Sequence, residues 1–333
     1  MFPATSSVNG HSVHCPPASR RVPHREVRKH TTYLITKKCA DDLFLTRPSQ
    51  SINQTLLYLL LLKARRYGLL IHGYCFLSNH FHLVLTDVHG RLPSFMREFL
   101  GESSKAVQVI TRGDRAIWSR KRYSAVELLD LDAAERKLTY TLLNPTRAGL
   151  TRPEDWPGLT SAIVATGSTV IVERPDAYFS AKRPRSVELA LTPLTAGFQT
   201  RVCAPGKTGS AQQRAAAEEA SNQRVRERTH SELEDCLTKL KRAGRALRGS
   251  KAVLRASRDS RGQRRVRHLR PRFASRDAEV IAGAIRRSKR FEADHEKARR
   301  RYVAGEQLVQ FPAGTYGYRV LLGVRVREET NAA

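Results

Sequence analysis

The sequence predicts an α+β fold, an antiparallel sheet with flanking helices, followed by a basic and mainly helical C-terminal region. Three observations predict it. Short strand-like runs recur through the first half of the chain, separated by longer stretches of helical period. Two of those runs, residues 69–77 and 80–86, are joined only by Ser78-Asn79, which is a hairpin signal. After Ala162 the texture changes to Pro, Thr, Ser and Ala clusters, and then to dense groups of Arg and Lys.

Each element has its own reason. Residues 1–25 are rich in Ser, Pro, His and Arg without periodicity, and are expected to form a disordered basic tail. Residues 31–36 read as a strand. Arg47-Pro48-Ser49 opens a helix that runs to Tyr67 and stops at Gly68. The hairpin follows. Arg91-Leu92-Pro93 then starts a second helix, with Phe95, Phe99, Ala106 and Ile110 on its core side. Residues 123–128 look like a further strand. Asp132, with Glu135 three positions on, starts a third helix, and Asn144-Pro145 ends it. Strand–helix–strand–strand–helix–strand–helix is the order of a ferredoxin-like sandwich, expected over residues 26–165.

The rest of the chain reads differently. Residues 166–230 look like a linker, and residues 231–333 like a basic C-terminal region. Its charge is grouped at Lys239, Lys241 and Arg242, at Arg264, Arg265, Arg267, Arg270 and Arg272, at Arg286, Arg287, Lys289 and Arg290, and at Arg299, Arg300 and Arg301. Residues 308–320 have strand character broken by a turn.

Composition narrows the function classes. With 333 residues and 40% hydrophobic content the chain can bury a real core. A net charge of +28 and a pI near 10.7 set up a strongly positive field, whose usual partner is nucleic acid or an anionic membrane surface. The longest solid apolar run, residues 56–62, is far shorter than the ~20 residues of a spanning helix, so no membrane partner is expected. The N-terminus lacks the pattern of a secretory signal, and the five cysteines are scattered with no CxxC. A cytoplasmic, nucleoid-associated protein without a disulfide framework is the expectation.

Two clusters carry chemistry. In His80-Phe81-His82 two imidazoles lie two residues apart on a strand, so both point to one face while Phe81, Leu83 and Leu85 point to the other. The apolar face suits a core and the imidazole face suits a cation. In Tyr140-Thr141-Leu142-Leu143-Asn144 a phenol and an amide lie four apart near a helix end, on one face. Ala134, Leu138 and Leu142 form the apolar stripe of that helix, and Arg136, Tyr140 and Asn144 lie on the opposite side. Lys121, Arg122 and Arg147 lie near these motifs in sequence and could clamp DNA, or could be ordinary solvated charges. Trp118 could stack on a base, though a place in the core suits it better.

These residues resemble a known family. Residues 71–85 (Ile-His-Gly-Tyr-Cys-Phe-Leu-Ser-Asn-His-Phe-His-Leu-Val-Leu), 117–123 (Ile-Trp-Ser-Arg-Lys-Arg-Tyr) and 138–150 (Leu-Thr-Tyr-Thr-Leu-Leu-Asn-Pro-Thr-Arg-Ala-Gly-Leu), leading into Pro153-Glu154-Asp155-Trp156-Pro157, are similar in order and spacing to the REP-associated tyrosine transposases. Those are single-tyrosine HUH transposases acting on single-stranded DNA. The resemblance covers roughly residues 26–162. It implies an HUH variant of the ferredoxin-like sheet, His80 and His82 as metal-binding histidines, and Tyr140 as nucleophile. It also implies Asn144 as a third metal ligand, where other single-tyrosine HUH enzymes commonly carry Gln, Glu or Asp. The implied cofactor is Mg2+ or Mn2+, and the implied partner is single-stranded DNA, with hairpin-forming repeats as the expected target. A single tyrosine per chain makes full transposition depend on two active sites, as in a homodimer, or on two successive reactions.

Two other readings remain at this point. A catalytically inactive, domesticated DNA- or RNA-binding protein of the same fold would not need both histidines, Tyr140 and Asn144. A metal-dependent hydrolase using the histidine pair and water would leave Tyr140 without a role.

Overall fold

In the computed structural model, which describes residues 26–164, 166–202, 210–262 and 271–328, a five-stranded mixed sheet organises the chain. The expected tail at 1–25 and the basic positions Arg264, Arg265, Arg267 and Arg270 lie outside the described residues. Two compact units are present, one comprising Arg28–Ile285 and the other Arg286 onward with Glu26 and Val27.

The larger unit begins with β1 (Thr31–Lys38), then α1 (Gln50–Tyr67), β2 (Leu69–Phe76), β3 (His80–Asp87), α2 (Leu92–Thr111) and β4 (Ser124–Leu128). Ser49 caps α1 by accepting from the Ile52 N–H at 3.2 Å, and Gly68 ends it in the left-handed region at φ 65°. β1 pairs antiparallel with both β3 and β4, and β2 pairs antiparallel with β3, giving the order β2-β3-β1-β4. The two faces of this sheet bury different layers. Tyr33, Ile35, Phe81, Leu83 and Leu85 point into the main core with α1 and α2, while Leu34, Val84 and Val126 point to the opposite layer.

That opposite layer holds α3 (Leu131–Leu142), whose Ala134 and Leu138 pack on Leu34 and Val84. Gly73 makes the approach possible. A Cβ there would stand 2.4 Å from Leu138 Cδ1, so a larger residue would push the helix off β2. The cap lies two positions earlier than the sequence suggests, because Asp130, not Asp132, accepts from the Ala133 N–H at 2.6 Å. Glu135 is no capping residue. It is 1% exposed and turned toward a later helix. At the other end, Leu143 separates α3 from the short α4 (Asn144–Arg147), since Pro145 has no N–H to continue the ladder.

The described residues of 166–230, linker-like by composition, include regular structure. β5 (Thr169–Glu173) and β6 (Ser186–Ala190) form a hairpin whose Val172 and Val187, with Phe179 and Leu191, join the main core. α5 (Leu194–Val202) and the long α6 (Ala211–Arg242) follow. α6 has few apolar residues, and it packs on α3 mainly through charge. Arg224 grips Glu135 with Nη2 at 2.6 Å and Nε at 3.1 Å, Ser221 donates to Glu135 at 2.7 Å, and Arg228 donates to Asp132 at 3.0 Å. Sequence patterning misses such a helix because its buried face is polar.

α7 (Ser250–Arg255) and β7 (Phe273–Ala274) complete the larger unit, with β7 parallel to β4 at the sheet edge. α8 (Ala278–Val303) spans the boundary between units. In the smaller unit β8 (Gln310–Phe311), α9 (Gly317–Leu322) and β9 (Arg325–Val326) enclose Ala298, Val309, Phe311, Tyr318 and Val324. Residues 317–320, expected to have strand character, are instead part of helix α9, which ends at Gly323 with φ 65°. No helix among the described residues is long and apolar enough to cross a membrane.

Candidate functional site

The alternation of β3 sends Phe81 and His82 to opposite faces. Phe81 stacks on Phe76 and meets Trp118 edge-on, with centroids 4.7 and 5.2 Å apart. Trp118 is buried and donates its Nε1–H to Ser103 Oγ at 2.9 Å, which fixes it in the core and removes it as a base-stacking candidate. His80 and His82 share the α3 side of the sheet, with ring centroids 5.0 Å apart at 86°.

Neighbouring residues set both rings. His80 Nδ1 bonds Asn79 Oδ1 at 2.7 Å, and His82 Nδ1 bonds Thr36 Oγ1 at 2.9 Å. Thr36 sits opposite His82 in the β1–β3 register, and Lys38 sits opposite His80. Cross-strand register is therefore the reason Thr36 can reach the ring. Such a partner is visible in the sequence only once that register is known.

α3 brings Tyr140 to the same place. Its ring stands 5.2 Å from the His82 ring at 80°, and its hydroxyl makes no hydrogen bond to any described residue. Two cations flank the phenol ring, Arg147 at 5.1 Å and Lys137 at 6.0 Å from its centroid. Arg147 also pairs with Glu232 of α6 at 3.2 Å. Burial, with Arg136 and Arg147 nearby, pulls the Lys137 ammonium below its ordinary value despite Glu232. Lys137 has no sequence signal beyond being one of 59 basic residues.

Asn144 is 5% exposed, and its amide has no hydrogen-bond partner among the described residues. Lys121 and Arg122 are exposed, just before β4 at the end of the sheet where His80 lies, and no contact joins them to Tyr140. The Lys121 carbonyl instead accepts from Lys37 Nζ at 2.6 Å. Among the described residues no group of three His, Cys, Asp or Glu is placed to hold a metal ion. The two imidazoles are thus the nitrogen donors that the described structure brings together at this site.

A second buried histidine behaves differently. His72 bulges out of the β2–β3 register and is held by the Thr192 carbonyl and by Thr86 Oγ1, each at 2.8 Å. Burial pushes its imidazole down to about 4, so it is neutral and structural.

No protein-family model matches the chain, and no curated protein matches it. Among solved structures, the chain is similar to a REP-associated tyrosine transposase bound to a REP hairpin, at 19% sequence identity and a TM-score of 0.35, over 43% of this chain and 82% of that one.

Proposed function

We propose that this protein is a single-stranded DNA transposase of the HUH type, which cleaves and rejoins strands through a tyrosine–DNA intermediate. The observation that carries the reading is the phenol of Tyr140, unbonded at its hydroxyl, edge-on to His82 and flanked by two cations. The strand order β2-β3-β1-β4, with helices α1 and α2 crossing between strands, supports the ferredoxin-like form of the fold. The sequence resemblance over the same segments supports the assignment of roles.

His80, His82 and Asn144 would hold Mn2+ or Mg2+, and imidazole nitrogen favours the softer Mn2+. The Nδ1 bonds from Asn79 and Thr36 orient the rings and leave the ligand role to Nε2. Held by those residues, the ion would supply Lewis-acid polarisation of the phosphate. The chain's own groups do the rest. Tyr140 attacks phosphorus, and its phenol proton passes to solvent, which also supplies the proton that the leaving oxygen takes up. A P–O bond to tyrosine forms as the P–O3′ bond breaks, and the departing 3′-oxygen takes up a proton. The product is a 5′-phosphotyrosine with a free 3′-hydroxyl, and the retained ester lets another 3′-hydroxyl rejoin the strand. Arg147 and the exposed Lys121 and Arg122 supply positive charge for the phosphate backbone, a contribution that weakens with salt.

The test is incubation with labelled hairpin-bearing single-stranded DNA and Mn2+, followed by denaturing electrophoresis. A covalent adduct is expected. Free nicked product would indicate a hydrolase, and intact bound DNA a binding protein.

A further inference from the structure

Tyr140 lies in an excess of positive charge that the fold does not neutralise. Arg136 is engaged by Asp132 at 2.6 Å, and Asp132 is shared with Arg228 at 3.0 Å and Arg276 at 3.8 Å. Arg147 is engaged by Glu232 at 3.2 Å. The Lys137 ammonium makes no ion pair and no hydrogen bond to any described residue, although it lies 6.0 Å from the centre of the Tyr140 ring; the Lys137 carbonyl is engaged, by Thr141 Oγ1 at 2.8 Å. Glu232 offsets only part of the cost of a half-buried ammonium beside two guanidinium groups, and a bound anion would lower that cost further. Lys137 is one helical turn before Tyr140 on α3, so it moves with the phenol.

We propose that Lys137 is a phosphate-contacting residue of the Tyr140 site, donating to one non-bridging oxygen of the phosphodiester that Tyr140 attacks. The inference rests on the transposase reading and deepens it. An ammonium suits this task, since it is a compact charge with three rotatable donors, whereas Arg147 is already held by Glu232 and the phenol ring. Charge spreads onto the phosphoryl oxygens as the new bond forms, so a donor fixed beside the nucleophile acts more strongly in the transition state than in the bound substrate. Glu232 sets the limit of the site. It holds Arg147, and its negative charge also acts on Lys137, so an incoming phosphate meets one carboxylate together with the cations.

The experiment uses the full chain and strands that the wild-type protein captures covalently from a randomised single-stranded DNA library with Mn2+, which defines the scissile linkage. Two oligonucleotides are then made, each with sulfur replacing one of the two non-bridging oxygens of that linkage. Lys137→Gln is expected to slow single-turnover adduct formation by about 10- to 1000-fold. Lys137→Arg should recover part of that loss. One of the sulfur substitutions should slow the wild-type protein and have no further effect on Lys137→Gln, because the contact it weakens is already gone. A merely structural lysine would leave both sulfur effects intact. Adduct formation by Lys137→Gln at the wild-type rate, or with both sulfur effects retained, would overturn this inference alone. A wild-type protein that captures no strand would overturn the transposase reading and this inference with it.

Discussion

The ring of Tyr140 stands edge-on to the ring of His82, with centroids 5.2 Å apart and planes at 80°. Fifty-eight positions of chain separate the two residues by their numbering, and the packing of α3 on the β3 face brings them together. Leu138 seats the helix on Val84 and Leu34, Gly73 leaves room for it, and Glu135 fastens its far side to α6. The site is a property of that packing.

Thr36 should matter to metal binding although it is no ligand. Its hydroxyl sets the rotation of the His82 ring through Nδ1. Thr36→Val keeps the shape and removes the bond, and is expected to weaken Mn2+ affinity by about 10- to 100-fold with the fold intact. Mn2+ titration followed by electron paramagnetic resonance reads the change. Unaltered affinity would separate the His82 ring from any metal role.

Arg224 should brace the helix that carries Tyr140. Glu135 is 1% exposed, while the Arg224 side chain is 47% exposed, so their pair is buried on one side only. Arg224→Met leaves the buried carboxylate with Ser221 as its remaining hydrogen-bond partner among the described residues. The expected loss is about 1–3 kcal/mol, below the range for fully buried pairs because water reaches the guanidinium. Urea denaturation checks it. The double variant Glu135→Leu/Arg224→Met should be closer to wild type than Arg224→Met alone.

His72 should make stability depend on acid. Its folded imidazole is pushed down to about 4 by burial, below an ordinary value of 6.5. Between those values the unfolded chain binds the proton and the folded one does not, so stability falls as pH drops from about 6.5 toward 4. The full contribution is on the order of 3 kcal/mol, present at pH 7. Denaturation at pH 7 and pH 5 should show the slope, and His72→Gln should flatten it. An equal slope in the variant would assign the effect to other groups.

Much of the larger unit is legible in the sequence because its signals are local. Ser49 and Gly68 bound α1, Ser78-Asn79 marks the hairpin, and the alternation through Phe81, His82 and Leu83 assigns faces to β3. The apolar stripe of Leu138 likewise points α3 at the sheet and leaves Tyr140 off it. What is not legible depends on partners far along the chain. The β5–β6 hairpin lies in a Pro- and Ser-rich stretch, and its few apolar residues matter only against α1 and α2. α6 reads as polar linker and basic helix because Glu135 and Asp132, which its arginines face, sit some ninety positions earlier. That packing also changes what the basic residues mean. Arg224 and Arg228 are committed to carboxylates within the fold, and Arg299 and Arg300 pair with Glu296, so only part of the positive charge is left for an outside partner. Cutting the chain near residue 165 would therefore remove the brace of α3 along with any DNA contacts.

The central claim is that Tyr140 is the nucleophile. Tyr140→Phe removes one hydroxyl that has no hydrogen-bond partner among the described residues, and it keeps the ring that meets His82, Lys137 and Arg147. The decisive measurement is covalent capture of hairpin-bearing single-stranded DNA in Mn2+, compared between wild type and this variant on a denaturing gel, with DNA affinity measured alongside. The expected result is a wild-type adduct, none with Tyr140→Phe, and affinities within about twofold of each other, since no charge is lost. An adduct of equal yield in the variant would contradict the assignment and place the chemistry on another residue.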